Sequence, residues 1–146
     1  MLWESAAINA YLCIKAGSDM WPAQAPHEQV QVLRWMCWND QHWQGAMAPW
    51  YFEHIVKKTF SLGTPDPAQT AATLPLLERH APVLDAGLAS KEFIACDRLT
   101  IADFQLASMA RFWRESTLPL ERWRNIVRWL DRLMEIPAWA DPWPAS

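Results

Sequence analysis

Glycine is scarce in this chain, with four residues in 146. That leaves little material for tight hairpins or for a phosphate-cradling loop, and no Gly-rich phosphate motif is present. Cysteine is also sparse. Cys13, Cys37 and Cys96 are odd in number and widely spaced, which excludes a disulfide framework and a zinc motif and fits a reducing cytoplasm. There is no excess of positive charge: the formal net charge is −3, so nothing favours nucleic acid or an anionic membrane. No apolar run approaches the length of a membrane span. The opening Met1-Leu2-Trp3-Glu4-Ser5 lacks the basic start and apolar stretch of a signal peptide. No internal repeat is evident.

What the chain does have is tryptophan, eleven in all, within a sequence that is 51% hydrophobic and 20% charged. Large, rigid, amphipathic rings must carry much of the packing. The length suits one domain, and such a chain can bury roughly 70% of its unfolded surface without staples.

Periodicity predicts helices throughout and no strand. Trp3, Ala7, Ala10, Tyr11 and Ile14 recur at helical spacing over 2–16, and Gly17 stops that helix. Residues 17–26, with Gly17, Pro22 and Pro26, read as a linker. Over 27–48, Val30, Leu33 and Cys37 form one stripe, widened by Trp35, Met36 and Trp43. A stripe this wide predicts a second packing surface. Pro49 is expected to kink or interrupt the helix, with 50–60 continuing beyond. After a turn at 61–66, Asp66-Pro67 opens a helix. Leu74, Leu77, Ala81, Leu84 and Leu88 follow, and Pro75 and Pro82 within that stretch predict a bend or two shorter helices.

The sharpest local signal is Leu99-Thr100-Ile101-Ala102-Asp103-Phe104. Thr100 and Asp103 have the spacing of a capping box, and Leu99 and Phe104 that of a hydrophobic staple. The helix they begin should run to about Trp113. It is apolar on nearly all sides of its first half, which predicts a central, buried position. Pro119 is expected to open a last strong helix with Trp123, Ile126, Val127, Leu130, Leu133 and Met134 on one stripe, ended by Pro137. The tail, Asp141-Pro142-Trp143-Pro144, reads as irregular.

Four motifs in order resemble the glutathione transferases. Thr100-Ile101-Ala102-Asp103-Phe104 resembles the capping box and staple of their helical domain, and Phe93-Ile94-Ala95 precedes it as their Phe-Leu-Ala-Gly does, with Cys96 in the place of glycine. Asn125 to Arg132 and Pro137-Ala138 resemble the family's last long helix and its Pro-Ala ending. Glu4-Ser5-Ala6-Ala7-Ile8 with Tyr11-Leu12 resembles the Glu-Ser-x-Ala-Ile motif of the last helix of the thioredoxin-like domain. The resemblance implies an all-α, multi-helix bundle like the family's C-terminal domain. Residues 1–16 would be the last helix of a thioredoxin-like domain, 17–26 the linker and 27–146 the helical domain. The βαβ unit that activates glutathione in the family is not among these residues. The chain alone is therefore expected to be inactive, with glutathione as cosubstrate only when a thioredoxin-like half is supplied. A start at this helix, not within the linker, suggests a short reading frame of its own or a gene fragment.

The candidate residues follow from the same resemblance. Glu4 and Ser5 would hold the γ-glutamyl end of glutathione beside a thioredoxin-like partner; otherwise they simply begin a helix. Trp43, Met47, Trp50 and Tyr51, with Phe112 and Trp113, would line an apolar electrophile pocket, since aromatics and a soft Met make a tolerant one. Ordinary core packing or a dimer contact is the competing reading for each. Thr100, Asp103, Leu99 and Phe104 are structural. Cys13 and Cys37 are expected to pack inertly. His27, His42, His54 and His80 are scattered, so no metal site is expected. Arg124, Arg128 and Arg132, with Asp131 and Glu135, read as a solvated, salt-bridged face. A homodimer is expected to cover the open cleft. The alternative functions are a non-catalytic interaction module and a binder of apolar small molecules.

Overall fold

A computed structural model describes residues 1–142. Trp143 and Pro144, part of the tail expected to be irregular, lie outside the described residues. Among the described residues the chain is entirely helical, with no strand. The helices are α1 (Ser5–Ala16), α2 (Pro26–Trp38), α3 (Gln44–Tyr51), α4 (Lys57–Phe60), α5 (Pro67–Ala71), α6 (Leu74–Gly87), α7 (Ile101–Ala110), α8 (Arg124–Leu133) and α9 (Pro137–Ala140).

α2, α3 and α4 form one long helical run, because two π-helical turns, Asn39–Trp43 and Phe52–Val56, join them without leaving helical dihedrals. Pro49 lies inside α3. The interruption expected at the proline takes the form of wide turns on either side of it. The run ends at Ser61, whose left-handed φ of 54° closes it.

The inward face of α2 differs from the expected one. Val32, Trp35 and Met36 are buried, whereas Val30 and Leu33 are 59% and 44% exposed and Cys37 is exposed. The stripe of Val30, Leu33 and Cys37 faces outward, and Val32, Trp35 and Met36 occupy the inward side. Trp35 illustrates the fit: a Cβ added at Gly87 would lie 2.8 Å from its ring, so α6 reaches α2 only because residue 87 has no side chain.

Asp66 caps α5 through the Ala68 amide at 2.9 Å. Pro75 falls in the first turn of α6, where its missing N–H costs nothing, and Pro82 lies inside the helix. Leu77, Ala81, Leu84 and Leu88 are buried as their spacing predicts. Each of the three leucine side chains contributes about 1.5–3 kcal/mol by leaving water.

α7 is the buried centre. It stops at Ala110, so Phe112 and Trp113 lie on the following turns. α8 begins at Arg124, not at Pro119, and Pro137 opens α9 after α8 has already ended. The inward stripe of α8 holds Ile126, Trp129, Leu130 and Leu133, while Met134 is 38% exposed. α8 has no cap of its own. Asp85 on α6 supplies one, its Oδ1 accepting from the amides of Asn125 (2.9 Å) and Ile126 (3.2 Å).

The arginine stripe on α8 is more than a solvated face. Arg128 donates to the Leu88 and Lys91 carbonyls at 2.6 and 3.1 Å, closing the open end of α6. Arg132 pairs with Glu92 at 2.7 Å. Asp131 is engaged by both terminal nitrogens of Arg114.

α1 meets α7, yet Cys13 is its one buried residue. Trp3, Tyr11 and Ile14, whose spacing marks this helix in the sequence, are 72%, 53% and 56% exposed. Ala6 and Ala10, with Cys13, face inward instead. Small side chains let α1 approach α7 closely, and the larger ones are left outside.

Candidate functional site

The capping segment forms a buried, fully hydrogen-bonded polar cluster. Asp103 is fully buried. Its Oδ2 accepts from the Thr100 amide (2.9 Å) and hydroxyl (3.0 Å). Its Oδ1 accepts from the Ile94 amide (2.8 Å) and the Trp129 indole (3.0 Å). One carboxylate thus joins the start of α7, the preceding loop and α8. Burial pushes its carboxyl above the usual range, and the four donated hydrogen bonds pull it back. The loop it holds passes through two left-handed residues, Cys96 (φ 57°) and Asp97 (φ 49°). That is the conformation glycine adopts most easily, so the turn is made here in spite of Cys96.

The six residues expected to line an apolar pocket divide into two groups. Trp43, Met47, Trp50 and Trp113 are in the core. The Trp43 indole donates to the Leu106 carbonyl at 3.1 Å, and that of Trp50 to the Thr73 hydroxyl at 3.0 Å. These four work as packing. Tyr51 and Phe112 keep partly open rings, 5.3 Å apart and tilted by 43°. The i, i+4, i+7 spacing of 43, 47 and 50 identified one helix face correctly, and that face points inward.

Tyr51 and Phe112 begin a longer wall. The Arg111 guanidinium lies 5.1 Å from the Phe112 ring and 4.7 Å from the Trp139 ring, and Trp139 is 4.9 Å from Phe104. Arg111 also donates to the Trp139 and Ala140 carbonyls at 2.6 and 3.2 Å. It thereby pins α9 against the turn that follows α7. At the Phe104–Trp139 end, α1, α7 and α9 enclose an apolar groove of about 390 Å³, with Leu12, Met20 and Ile136 on its walls. Sequence reasoning overlooked Arg111 and Trp139. The only hint was a cation flanked by aromatics at 111–113, which gives no sign of α9 returning to meet it.

Glu4 and Ser5 start α1, both exposed. Glu4 has a left-handed φ of 71°, and its carbonyl accepts from Ile8 at 3.0 Å. Neither side chain caps the helix.

Among the described residues no group of three His, Cys, Asp or Glu could hold a metal. His42 and His80, distant in sequence, stack at 5.1 Å beside Trp38. Burial first, then the charges of His42 and Arg79, holds His80 below the usual histidine range. Cys13 is buried, while Cys37 is exposed, contrary to the expected inert packing. Glu53, also buried, accepts from Lys57 and from the Asp66 amide, and these bonds hold its carboxyl below the ordinary value. No helix among the described residues is long and apolar enough to cross a membrane.

An all-α bundle around a Thr-x-x-Asp-capped central helix, with a short helix leaning on it from the N-terminal side, defines a class: the helical half of glutathione transferase structures. Known structures match it closely. Glutathione S-transferase-I bound with lactoylglutathione superposes with a TM-score of 0.83 at 23% identity, over 95% of this chain and 67% of that one. The theta class enzyme from the citrus canker pathogen Xanthomonas axonopodis pv. citri, with glutathione bound, gives 0.75 at 30% identity, over 94% and 65%. In sequence, glutathione S-transferase 3 from Zea mays is 31% identical over 106 residues, which is 70% of this chain and 46% of the maize protein. The chain therefore spans about half the length of that relative. The family profile described as "Glutathione S-transferase, C-terminal domain" matches residues 47–137. The chain belongs to the glutathione S-transferase family and contains its C-terminal domain.

Proposed function

We propose that this chain is the electrophile-binding helical half of a glutathione transferase-like protein. The carrying observation is the partly open aromatic wall of Tyr51, Phe112, Arg111 and Trp139 on a family-type bundle. Rings and an aliphatic groove bind an apolar molecule by burying its surface. Arg111 holds the wall in place through α9. Residues 1–16 act as the last helix of a thioredoxin-like unit, residues 17–26 as the linker and 27–146 as the helical domain. When a thioredoxin-like domain is supplied, Glu4 and Ser5 face the γ-glutamyl end of glutathione. The thiolate attacks an electrophilic carbon on the wall, forming a C–S bond as the leaving group departs with its electron pair. The helical half contributes positioning and exclusion of water. The expected setting is cytoplasmic, and the expected assembly is a homodimer or a complex with the thioredoxin-like unit.

A second reading, an interaction module without catalysis, is favoured by the apolar outer side of α1. Two titrations separate the readings. With the chain alone, calorimetry should show no glutathione binding up to about millimolar concentration. A fluorescent apolar ligand should bind, and F112A should weaken it roughly tenfold. An apolar ligand that binds equally to wild type and F112A would remove the wall from the proposal. Micromolar glutathione binding would show that the chain carries a thiol site of its own.

A further inference from the structure

We propose that His42 and His80 form an acid-released latch: their stacked rings fasten the first π-helical turn of the long helical run to α6 at neutral pH and part as protons bind. The proposal concerns the side of the turn that meets α6 and stands whether or not the wall binds an electrophile.

The pair joins two elements. His42 lies on the turn Asn39–Trp43 and His80 in α6. Their rings stack with centroids 5.1 Å apart and planes inclined by 25°. Trp38 closes the stack, edge-on to His80 at 6.1 Å and tilted against His42 at 6.2 Å. Trp38 also stacks on Trp43 at 6.0 Å. The same turn is tied to α7 by different means. The Trp43 indole donates to the Leu106 carbonyl, and Asp40 accepts from the Gln105 side chain at 2.8 Å. Hydrogen bonds thus face α7, and the ring stack faces α6.

Such a stack suits neutral imidazoles. A proton on one ring opposes a proton on the other, and the half-buried His80 would carry its charge with little water. The surrounding charges do not relieve this. On α6, Arg79 adds a positive charge, Glu78 is paired with Arg122, and Asp85 caps α8. On the turn, Asp40 is held by Asn39 and Gln105. On α2, Arg34 lies over the Trp35 ring and is itself a cation. α3, which also packs on α6, has no charged side chain. On α8, Arg128 is bound to the Leu88 and Lys91 carbonyls, Arg132 to Glu92 and Asp131 to Arg114, while Arg124 is exposed. Burial first, then the charges of His42 and Arg79, accordingly hold His80 below the usual histidine range. The released chain takes up the proton at the ordinary value and the latched chain only at a lower one. Latching is therefore complete above the ordinary value and is lost as the pH falls below it. Release loosens the turn that leads into α3 and leaves its hydrogen bonds to α7 in place.

The test is proton NMR of the imidazole signals with residue-resolved amide exchange, on the full chain, between about pH 7.5 and pH 5. Wild type is compared with H42F and H42F/H80F, since phenylalanine keeps a ring in the stack and cannot titrate. His42 is exposed, so H42F alone decides the matter if the double variant does not fold. In wild type the His80 signal should titrate below the ordinary histidine range, and H42F should move it upward. Amides of residues 39–43, corrected for the intrinsic effect of pH, should exchange on the order of tenfold faster at the acid end. That acceleration should fall to about threefold or less in H42F and vanish in H42F/H80F, with α7 amides steady throughout. A His80 signal in the ordinary range overturns the proposal, and so does the absence of any acceleration at 39–43. An acceleration undiminished in H42F overturns it too, because acid would then act elsewhere, as does one shared equally by α7, because the whole bundle would then be opening. None of these readings uses glutathione or an apolar ligand, so the two proposals fail separately.

Discussion

α7 and α1 are of similar length and both rich in alanine and larger apolar residues, yet α7 buries six of its ten residues and α1 one of its twelve. Hydrophobic content does not separate them. What does is the number of other segments tied to each. α7 starts from a carboxylate that holds its own first turn, the 93–100 loop and α8. α1 starts without a side-chain cap and touches the bundle through small residues on one side. The bundle is closed around α7 from within the chain, and α1 has a core-facing side and an exposed side.

The largest effect on this contrast should come from D103A. It strands the Ile94 and Thr100 amides and the Trp129 indole in the interior, where each unpaired donor costs about 1–3 kcal/mol. A loss of at least about 3 kcal/mol in urea unfolding is expected. A loss below about 1 kcal/mol would mean that the Asp103 cluster does not secure α7. Next is G87A, which drives a methyl into the Trp35 ring and should lower stability by about 1–3 kcal/mol, read as a drop in Tm. If alanine's helix propensity prevails and Tm rises, the Trp35 ring yields to a Cβ that would otherwise lie 2.8 Å from it.

Glu53 tests the periphery by pH. Its folded carboxyl titrates below the unfolded one, because Lys57 and the Asp66 amide bind its charged form. It therefore adds stability above the unfolded carboxylate value, and that stability is lost as the pH falls through the folded value. Wild type should exceed E53Q in stability near neutrality, and the two should converge in acid. A gap independent of pH would remove the charge from the explanation. The smallest effect belongs to α1: I8A in dilute, monomeric chain should change unfolding free energy by no more than about 0.5 kcal/mol. A loss above about 1.5 kcal/mol would show that Ile8 packs within its own chain.

Much of the fold was legible because its signals were local. The Thr100–Asp103 box, the Asp66 cap and the leucine repeat of α6 depend on residues a few positions apart, and all are present. The face of α2 was misread because Val30 and Leu33 are as apolar as Val32 and Met36; which pair turns inward depends on how Trp35 meets Gly87, a contact across 52 positions. The cap on α8 was hidden for the same reason, since Asp85 comes from another helix. Of the residues named from sequence for an apolar pocket, Tyr51 and Phe112 keep partly open rings. Trp43, Met47, Trp50 and Trp113 carry the same chemistry, and only three-dimensional packing separates them. Arg111 matters through α9, which no spacing in the sequence connects to it.

Amide hydrogen exchange, followed residue by residue at two chain concentrations, tests the contrast between α7 and α1 most directly. The account predicts that α7 amides exchange only through global unfolding and do not respond to concentration. Amides of α1, which buries one residue and lacks a side-chain cap, should exchange faster than those of α7 in dilute chain. If α1 is as protected as α7 in dilute chain, the division into a closed core and a loosely held N-terminal helix is wrong.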